Sequence, residues 1–198
     1  MVKNMRVGIL ALQGAFIEHQ NMLENLGVTA VQVRLSQQLN DLDGLIIPGG
    51  ESTTIAKLAI DFGLFSDLKT YAATHPVWGT CAGAILLAKD DQSHPPRLDL
   101  MDIHLARNAF GRQIDSFQAE LSVPVLDHLD GNKQTFPAVF IRAPIIQSVG
   151  KKVEILAQLG YDKIVAARQG NWLATVFHPE LTDDNRFHRY YLEMIPSK

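Results

Sequence analysis

One cysteine, Cys81, lies in the stretch Gly79-Thr80-Cys81-Ala82-Gly83 and is the only cysteine of the chain. An apolar run precedes this stretch and a helix-like apolar segment follows it. Small residues around a nucleophile between a strand and a helix are typical of a nucleophile elbow, where larger side chains would collide. At the first turn of the helix, unpaired N–H groups and the helix dipole favour a thiolate. We therefore expect a nucleophile; the alternative is a small buried apolar side chain, the commoner role of a free cysteine.

A histidine and a glutamate two residues apart could complete a catalytic triad with this thiol. His178 follows the apolar run 173–177, and Pro179 favours an extended backbone at His178. Residues two apart in an extended segment project to the same side, so Glu180 can hold one imidazole nitrogen while the other nitrogen faces Cys81. In the alternative interpretation, His178 only ends a strand and Glu180 caps the following helix. Together with the elbow, the pattern favours the catalytic interpretation.

A pair of glycines after a predicted strand is placed to help bind the negative oxygen of a tetrahedral intermediate. One donor follows from the elbow itself, the backbone N–H of Ala82. A second should come from a loop at the carboxyl end of a neighbouring strand, where open α/β sheets place their ligand sites. Residues 48–54 form such a loop, and the backbone N–H groups of Gly49 and Gly50 can approach a substrate closely. The same residues could also serve as a strand-ending turn and helix cap, and both roles can hold together.

The elements that must position these residues alternate between strand and helix signals in the first half of the chain. Strands are predicted at 7–12, 28–35, 45–47 and 76–79, and helices at 16–26, 53–62, 65–73 and 84–89. The second half is richer in strands, predicted at 116–123, 138–141, 153–156, 164–168 and 173–177, with a loop at 127–134 and a final helix at 183–194. Repeated strand-helix units predict an α/β fold with a parallel sheet and helices on both faces.

Length, charge and cysteine content bound the class of protein. The 198 residues predict a single domain over 1–198, and 46% hydrophobic with 20% charged residues is typical of a soluble globular chain. The net charge of -3 gives no reason to expect nucleic-acid or membrane binding. One cysteine cannot form an internal disulfide, so we expect a reducing, cytoplasmic location.

Three motifs, in chain order Pro-Gly-Gly-Glu-Ser, Gly-Thr-Cys-Ala-Gly and His-Pro-Glu, resemble the class I, triad-type glutamine amidotransferases. Within that class, the sequence most resembles the family of glutaminase subunits of pyridoxal 5'-phosphate synthase. The stretches that carry this resemblance span nearly the whole chain and are 10–16, 48–55, 79–87, 107–113, 140–144 and 177–182. The resemblance implies a flavodoxin-like, three-layer architecture with a mixed, mostly parallel sheet flanked by helices.

The resemblance also implies an activity and a partner. L-glutamine would be hydrolysed to glutamate and ammonia, and the ammonia would pass to a separate synthase subunit that builds pyridoxal 5'-phosphate from two sugar phosphates. Neither a metal nor a cofactor is expected. Because glutaminase activity without a partner would waste glutamine, we expect full competence only when the synthase docks, through a peptide rearrangement near Gly49 and Gly50.

Site residues follow from the resemblance one by one. Cys81 matches the nucleophile, His178 the general base and acid, and Glu180 the orienting carboxylate. The positions matching glutamine-binding residues are Gly49, Gly50, Glu51, Arg107, Ile141 and Arg142, and Gly50 and Ala82 match the oxyanion hole. A zwitterionic amino acid needs a cation for its carboxylate and an anion for its ammonium, which the arginines and Glu51 can provide. Without the resemblance, Arg107 would be interpreted as a solvated loop charge.

Other functions stay open at this stage. The chain could be a glutaminase subunit for a different ammonia acceptor, such as one in histidine or aminobenzoate synthesis. It could be a cysteine hydrolase or redox-stress protein with a similar elbow, although such proteins lack the Pro-Gly-Gly-Glu-Ser stretch and the arginine set. It could also be a scaffold subunit without catalytic activity.

Overall fold

A nine-stranded mixed sheet is the main feature of the computed structural model, which describes residues 5–89, 96–106, 116–130 and 135–196. The strands are β1 Arg6–Leu10, β2 Thr29–Val33, β3 Gly44–Ile47, β4 Val77–Thr80, β5 Ile103–Ala106, β6 Ser116–Leu121, β7 Phe136–Ile141, β8 Ile145–Val149, β9 Glu154–Leu159, β10 Lys163–Gln169 and β11 Trp172–Thr175. Their order in the large sheet is β2-β1-β3-β4-β11-β10-β8-β5, with β9 also paired to β10. β6 and β7 form a separate antiparallel pair.

The two halves of the large sheet differ in strand direction. From β2 to β11 every neighbouring pair is parallel, because helices connect the first strands. Beyond β11 the pairs are antiparallel, and the β9–β10 and β10–β11 turns contain Gly160 and Gly170 with positive φ. The helices are α1 Phe16–Asn25, α2 Ser52–Asp61, α3 Phe65–Ala72, α4 Ala82–Leu87, α5 Asp127–Asp130 and α6 Arg186–Glu193. The predicted α/β class, a mixed sheet flanked by helices, is confirmed.

Side-chain alternation along β4 shows that helices cover both faces of the sheet. Thr80 hydrogen-bonds to His19 of α1, and Trp78 packs edge-on against His188 of α6. Gly79, between them, faces the other way, towards Gly83 of α4. α2 packs against α3 and α4 on this second face. The result is three layers, with α1 and α6 on one face of the sheet and α4 with its neighbours on the other.

An aromatic cluster fixes the segment that follows β11. Phe177 packs edge-on against Phe187 of α6, with ring centroids 5.4 Å apart, and Phe187 packs edge-on against Phe136 of β7 at 4.8 Å. All three side chains are fully buried. Aromatic pairs in these geometries stabilise the fold by more than the burial of their apolar area alone. Because His178 directly follows Phe177, the cluster also fixes the start of the predicted histidine-glutamate pair.

Two strands and one helix of the second half differ from the sequence-based expectations. β5 and β8 were not predicted, and both belong to the antiparallel half of the sheet. The predicted loop at 127–134 is wrong for Asp127–Asp130, which form α5, while residues 131–134 lie outside the described residues.

The hydroxyl of Tyr191 links α6 to the sheet, which leads to a test of the fold. It is fully buried and lies 3.0 Å from the carbonyl oxygen of Pro76 and 3.1 Å from that of Leu45. Tyr191→Phe removes this donor, so we expect the free energy of unfolding in urea to fall by about 1–2 kcal/mol. Tyr161→Phe, at a fully exposed ring, is the control and should change it by less than about 0.5 kcal/mol. Equal effects of the two variants would contradict this role.

Candidate active site

Cys81 occupies a sharp turn between β4 and α4. Its backbone has φ 47° and ψ -102°, a conformation with positive φ that residues other than glycine rarely adopt. Its N–H donates to the carbonyl of Thr175 in β11 at 2.8 Å, which ties the turn to the neighbouring strand. Such strained residues persist only where the surroundings hold them, and they cluster at functional sites.

The glycines on either side of this turn allow the close packing that the sequence predicts. A Cβ on Gly79 would lie 2.5 Å from the carbonyl of Gly83 and 2.7 Å from the nitrogen of Ala84. A Cβ on Gly83 would overlap the carbonyl oxygen of Ile47 at the end of β3. Larger residues at either position would therefore push α4 away from the strands.

His178 and Glu180 lie together beyond the end of β11. The Nδ1 atom of His178 is 2.7 Å from Oε1 of Glu180, and both side chains are buried. The backbone N–H of His178 donates to the carbonyl of Val139 in β7 at 2.8 Å, which fixes the histidine from the second sheet. The carboxylate of Glu180 thus contacts the imidazole as the spacing predicts.

The surroundings of His178 favour its protonated form. Burial lowers the pKa of His178, but hydrogen bonds to Cys81 and Glu180 and the nearby carboxylate charge outweigh burial and raise this pKa to about 10. At neutral pH the imidazole of His178 is therefore an imidazolium, held by the carboxylate of Glu180.

The predicted glycine loop lies directly against these two side chains. A Cβ on Gly49 would overlap Cε1 of His178 and would lie 3.2 Å from Cβ of Cys81. Any side chain at position 49 would displace the imidazole, so only glycine lets the loop backbone lie this close to His178. The loop therefore stands beside the thiol, where the sequence predicts an oxyanion site.

A second segment, which the sequence analysis did not connect to the site, anchors this loop. The carbonyl of Gly49 accepts a hydrogen bond from the N–H of Ala15 at 3.0 Å, and the N–H of Glu51 donates to Oε1 of Gln13 at 2.8 Å. Gly14 has φ 103°, and a Cβ there would overlap the carbonyl oxygen of Gly49. The signal for this contact is the Gln13-Gly14 pair at the carboxyl end of the first strand.

The end of β7 forms another wall of the site. The sulfur of Cys81 lies 3.9 Å from the carbonyl oxygen of Ile141. Arg142 follows with φ 41°, and its side chain is exposed. Glu51 is also exposed, and its carboxylate accepts a hydrogen bond from the hydroxyl of Thr53 at 3.0 Å. The remaining predicted glutamine-binding residue, Arg107, lies outside the described residues.

Two buried histidines behind Glu180 were also missed by sequence reasoning. His19 of α1 has its Nε2 atom 3.4 Å from Oε2 of Glu180, and His188 of α6 contacts His19.

Within the described ranges, no group of His, Cys, Asp and Glu side chains is arranged to hold a metal ion. None of the helices described is long and apolar enough to span a membrane.

Known proteins resemble this chain over nearly its full length. The model of the SNO glutamine amidotransferase family matches residues 9–197. A relative from Dehalococcoides mccartyi named pyridoxal 5'-phosphate synthase subunit PdxT is 57% identical over 194 residues, covering 96% of this chain and 97% of the relative. A relative of the same name from Herpetosiphon aurantiacus is 58% identical over 193 residues, covering 95% and 99%. A crystal structure of a glutamine amidotransferase superposes with a TM-score of 0.87 at 47% identity, covering 96% of this chain and 98% of that chain.

The raised pKa of His178 predicts a pH dependence of stability. Folding raises this pKa from an ordinary value of about 6.5 to about 10. The stabilisation is therefore complete below about pH 6.5 and is lost as the pH rises towards 10. We expect the difference in free energy of unfolding between the wild type and His178→Asn to shrink across this range, measured by urea denaturation at several pH values. A difference that stays constant from pH 6.5 to 10 would contradict the charge assignment.

Proposed function

Because the chain belongs to the SNO glutamine amidotransferase family, we propose that Cys81, His178 and Glu180 are the catalytic triad with which it hydrolyses L-glutamine. The observation that carries the assignment is the position of His178, whose Nδ1 is 2.7 Å from Oε1 of Glu180 and whose pKa is also raised by its interaction with Cys81. The chain is a glutamine-hydrolysing enzyme whose ammonia supplies pyridoxal 5'-phosphate synthesis.

The first half of the proposed reaction forms a thioester and releases ammonia. The thiolate of Cys81 attacks the side-chain amide carbon of glutamine, and the carbonyl oxygen becomes an oxyanion. The imidazolium of His178 then gives its proton to the leaving nitrogen as the C–N bond breaks, so that ammonia departs. Glu180 holds the imidazole throughout and stabilises its charged form.

The second half of the proposed reaction hydrolyses the thioester and regenerates the thiolate. His178, now neutral, accepts a proton from a water molecule whose oxygen attacks the thioester carbon. The C–S bond breaks, glutamate leaves, and the thiolate and imidazolium are restored. Glutamine and water are thereby converted into glutamate and ammonia with no other reactant.

Backbone donors complete the proposed site. The N–H groups of Ala82, at the first turn of α4, and of Gly50, in the glycine loop, are assigned to the oxyanion hole. The close approach of Gly49 to both His178 and Cys81 supports this assignment, because it brings the loop backbone next to the proposed nucleophilic residue.

Charged side chains and one backbone segment near the glycine loop are assigned to bind the rest of the glutamine molecule. Glu51 follows the glycine pair and Arg142 follows Ile141; both are exposed and carry the charges that an ammonium and a carboxylate require. Ile141 contributes its backbone at the end of β7. Arg107 is assigned to the same role by its match to the family pattern.

The proposal also covers the subunit that accepts the ammonia, the extent of the domain and the cellular compartment. The ammonia acceptor is a separate pyridoxal 5'-phosphate synthase subunit with which this chain forms a complex, as the name of the relatives indicates. Residues 1–198 act as a single glutaminase domain, of which 9–197 match the family model. The reaction requires a free thiol, so we place the complex in the reducing cytoplasm.

Substitution of the triad tests the proposed function. In the presence of the synthase subunit, we expect Cys81→Ala to abolish glutamate formation and His178→Asn to lower kcat about 10²- to 10⁴-fold. His75→Asn, at a partly buried histidine away from the site, is the control and should leave kcat unchanged. Glutamate formation is measured by an enzyme-coupled assay. A Cys81→Ala variant as active as the wild type would exclude the triad.

Dependence on the synthase is tested separately. The carbonyl of Gly49 is bound to Ala15, and the peptide N–H of Gly50 points to the opposite side. We propose that docking of the synthase subunit rearranges this peptide and completes the oxyanion hole. One oxyanion donor contributes about 10²- to 10³-fold in kcat, so the wild type should turn over glutamine faster by up to that factor with the synthase than without it. Equal turnover in the two conditions would refute this dependence.

A further inference from the structure

A buried pair of histidines lies behind the proposed triad, on the face of the sheet covered by α1 and α6. The Nδ1 atom of His19 is 3.0 Å from Nε2 of His188, and both residues are fully buried. The Nε2 atom of His19 lies 3.2 Å from the hydroxyl of Thr80 and 3.4 Å from Oε2 of Glu180. His19 therefore touches the proposed orienting carboxylate on the side away from His178.

The second oxygen of Glu180 needs such a neighbour. Oε1 is bound to His178, whereas Oε2 is buried and makes no hydrogen bond within the part of the chain that the structure describes. A buried carboxylate oxygen that lacks a donor is costly unless a positive charge or an oriented dipole faces it. His19 is the group that faces it, at 3.4 Å.

Burial keeps both histidines uncharged. Burial above all, and then the electrostatic influence of the neighbouring His188 and His178 rings, lowers the pKa of His19 well below its ordinary value. Burial lowers the pKa of His188 to about 3. Each ring therefore carries one N–H and one lone pair, and the contacts decide which nitrogen is protonated.

Counting donors and acceptors favours one arrangement of these protons. If Nε2 of His188 donates to Nδ1 of His19, then His19 carries its proton on Nε2, which donates to the hydroxyl of Thr80 and places the positive end of the N–H dipole 3.4 Å from Oε2 of Glu180. The atom left over is a lone pair on Nδ1 of His188. In the opposite arrangement, Nδ1–H of His188 would be a buried donor without an acceptor, and a lone pair of His19 would face the carboxylate. The first arrangement leaves one lone pair without a donor, which costs less than a buried N–H without an acceptor. It also avoids repulsion between a lone pair of His19 and the carboxylate of Glu180.

We propose that His19 is a positioning residue, whose neutral Nε2–H dipole stabilises Oε2 of Glu180 and so fixes the carboxylate that orients His178. This role rests on the proposed triad. His19 touches neither glutamine nor the sulfur in this arrangement, so its substitution should alter the chemical step rather than substrate binding.

A matched pair of substitutions tests the proposal. The side-chain amide of His19→Gln can place its NH₂ near the original Nε2, whereas that of His19→Asn reaches only the region of Nδ1 and leaves Glu180 without a donor. With the synthase subunit present, we expect His19→Asn to lower kcat about 10- to 100-fold with KM unchanged, the range for loss of a polar contact to a buried charged group. We expect His19→Gln to retain most of the wild-type kcat. Unchanged kcat in His19→Asn, or equal losses in both variants, would overturn the proposal.

The wild-type protein offers a second test that does not depend on the variants folding. Nitrogen-15 NMR of the imidazole rings distinguishes a protonated from an unprotonated ring nitrogen. We expect His19 to carry its proton on Nε2, with Nδ1 unprotonated, at neutral pH. A proton on Nδ1, alone or together with one on Nε2, would overturn the proposal even if neither variant folds.

These outcomes are separable from failure of the proposed function. If the triad is wrong, Cys81→Ala keeps its glutaminase activity. If only the role of His19 is wrong, Cys81→Ala is inactive while His19→Asn turns over glutamine like the wild type.

Discussion

The backbone at the elbow approaches its neighbours more closely than any side chain would permit, and the placement of the proposed reacting groups depends on this approach. Gly83 packs against the carbonyl of Ile47, so the start of α4 rests directly on the end of β3. Thr80 pairs in register with Thr175, and the N–H of Cys81 donates to the Thr175 carbonyl. β3, β4 and β11 are adjacent parallel strands, so the glycine loop, the thiol and the histidine emerge at one edge of the sheet.

Several parts of this arrangement could be predicted from the sequence because they follow from local rules. The glycines around Cys81 and the two-residue spacing of His178 and Glu180 each specify their own geometry, and the structure has the expected contacts. The strand-helix units of the first half were recognisable for the same reason. Their apolar runs are bounded by glycine and proline, and α1 connects β1 to its parallel neighbour β2 while α2 and α3 connect β3 to its parallel neighbour β4.

Other parts depend on contacts between residues distant in the sequence and gave no local signal. β5 is a four-residue strand, too short for a clear alternation, and it is a strand only because β8 pairs with it. His19 and His188 are 169 positions apart, and nothing in either local stretch indicates that they touch. The Gln13-Gly14 pair marks the end of β1, but the sequence does not indicate that Gln13 reaches Glu51, 38 positions away.

The same fold explains why a histidine rather than a lysine or arginine suits the position behind Glu180. A permanent positive charge there would hold the carboxylate, but it would also compete with His178 for Glu180 and disfavour the imidazolium by like-charge repulsion. A neutral imidazole supplies an N–H dipole without that repulsion. His19 stays neutral because it is fully buried, with the ring of Trp78 packed edge-on against it at a centroid distance of 5.5 Å. Trp78 is on this face because β4 alternates its side chains, so the pleat that directs Gly79 towards α4 also directs the tryptophan towards His19.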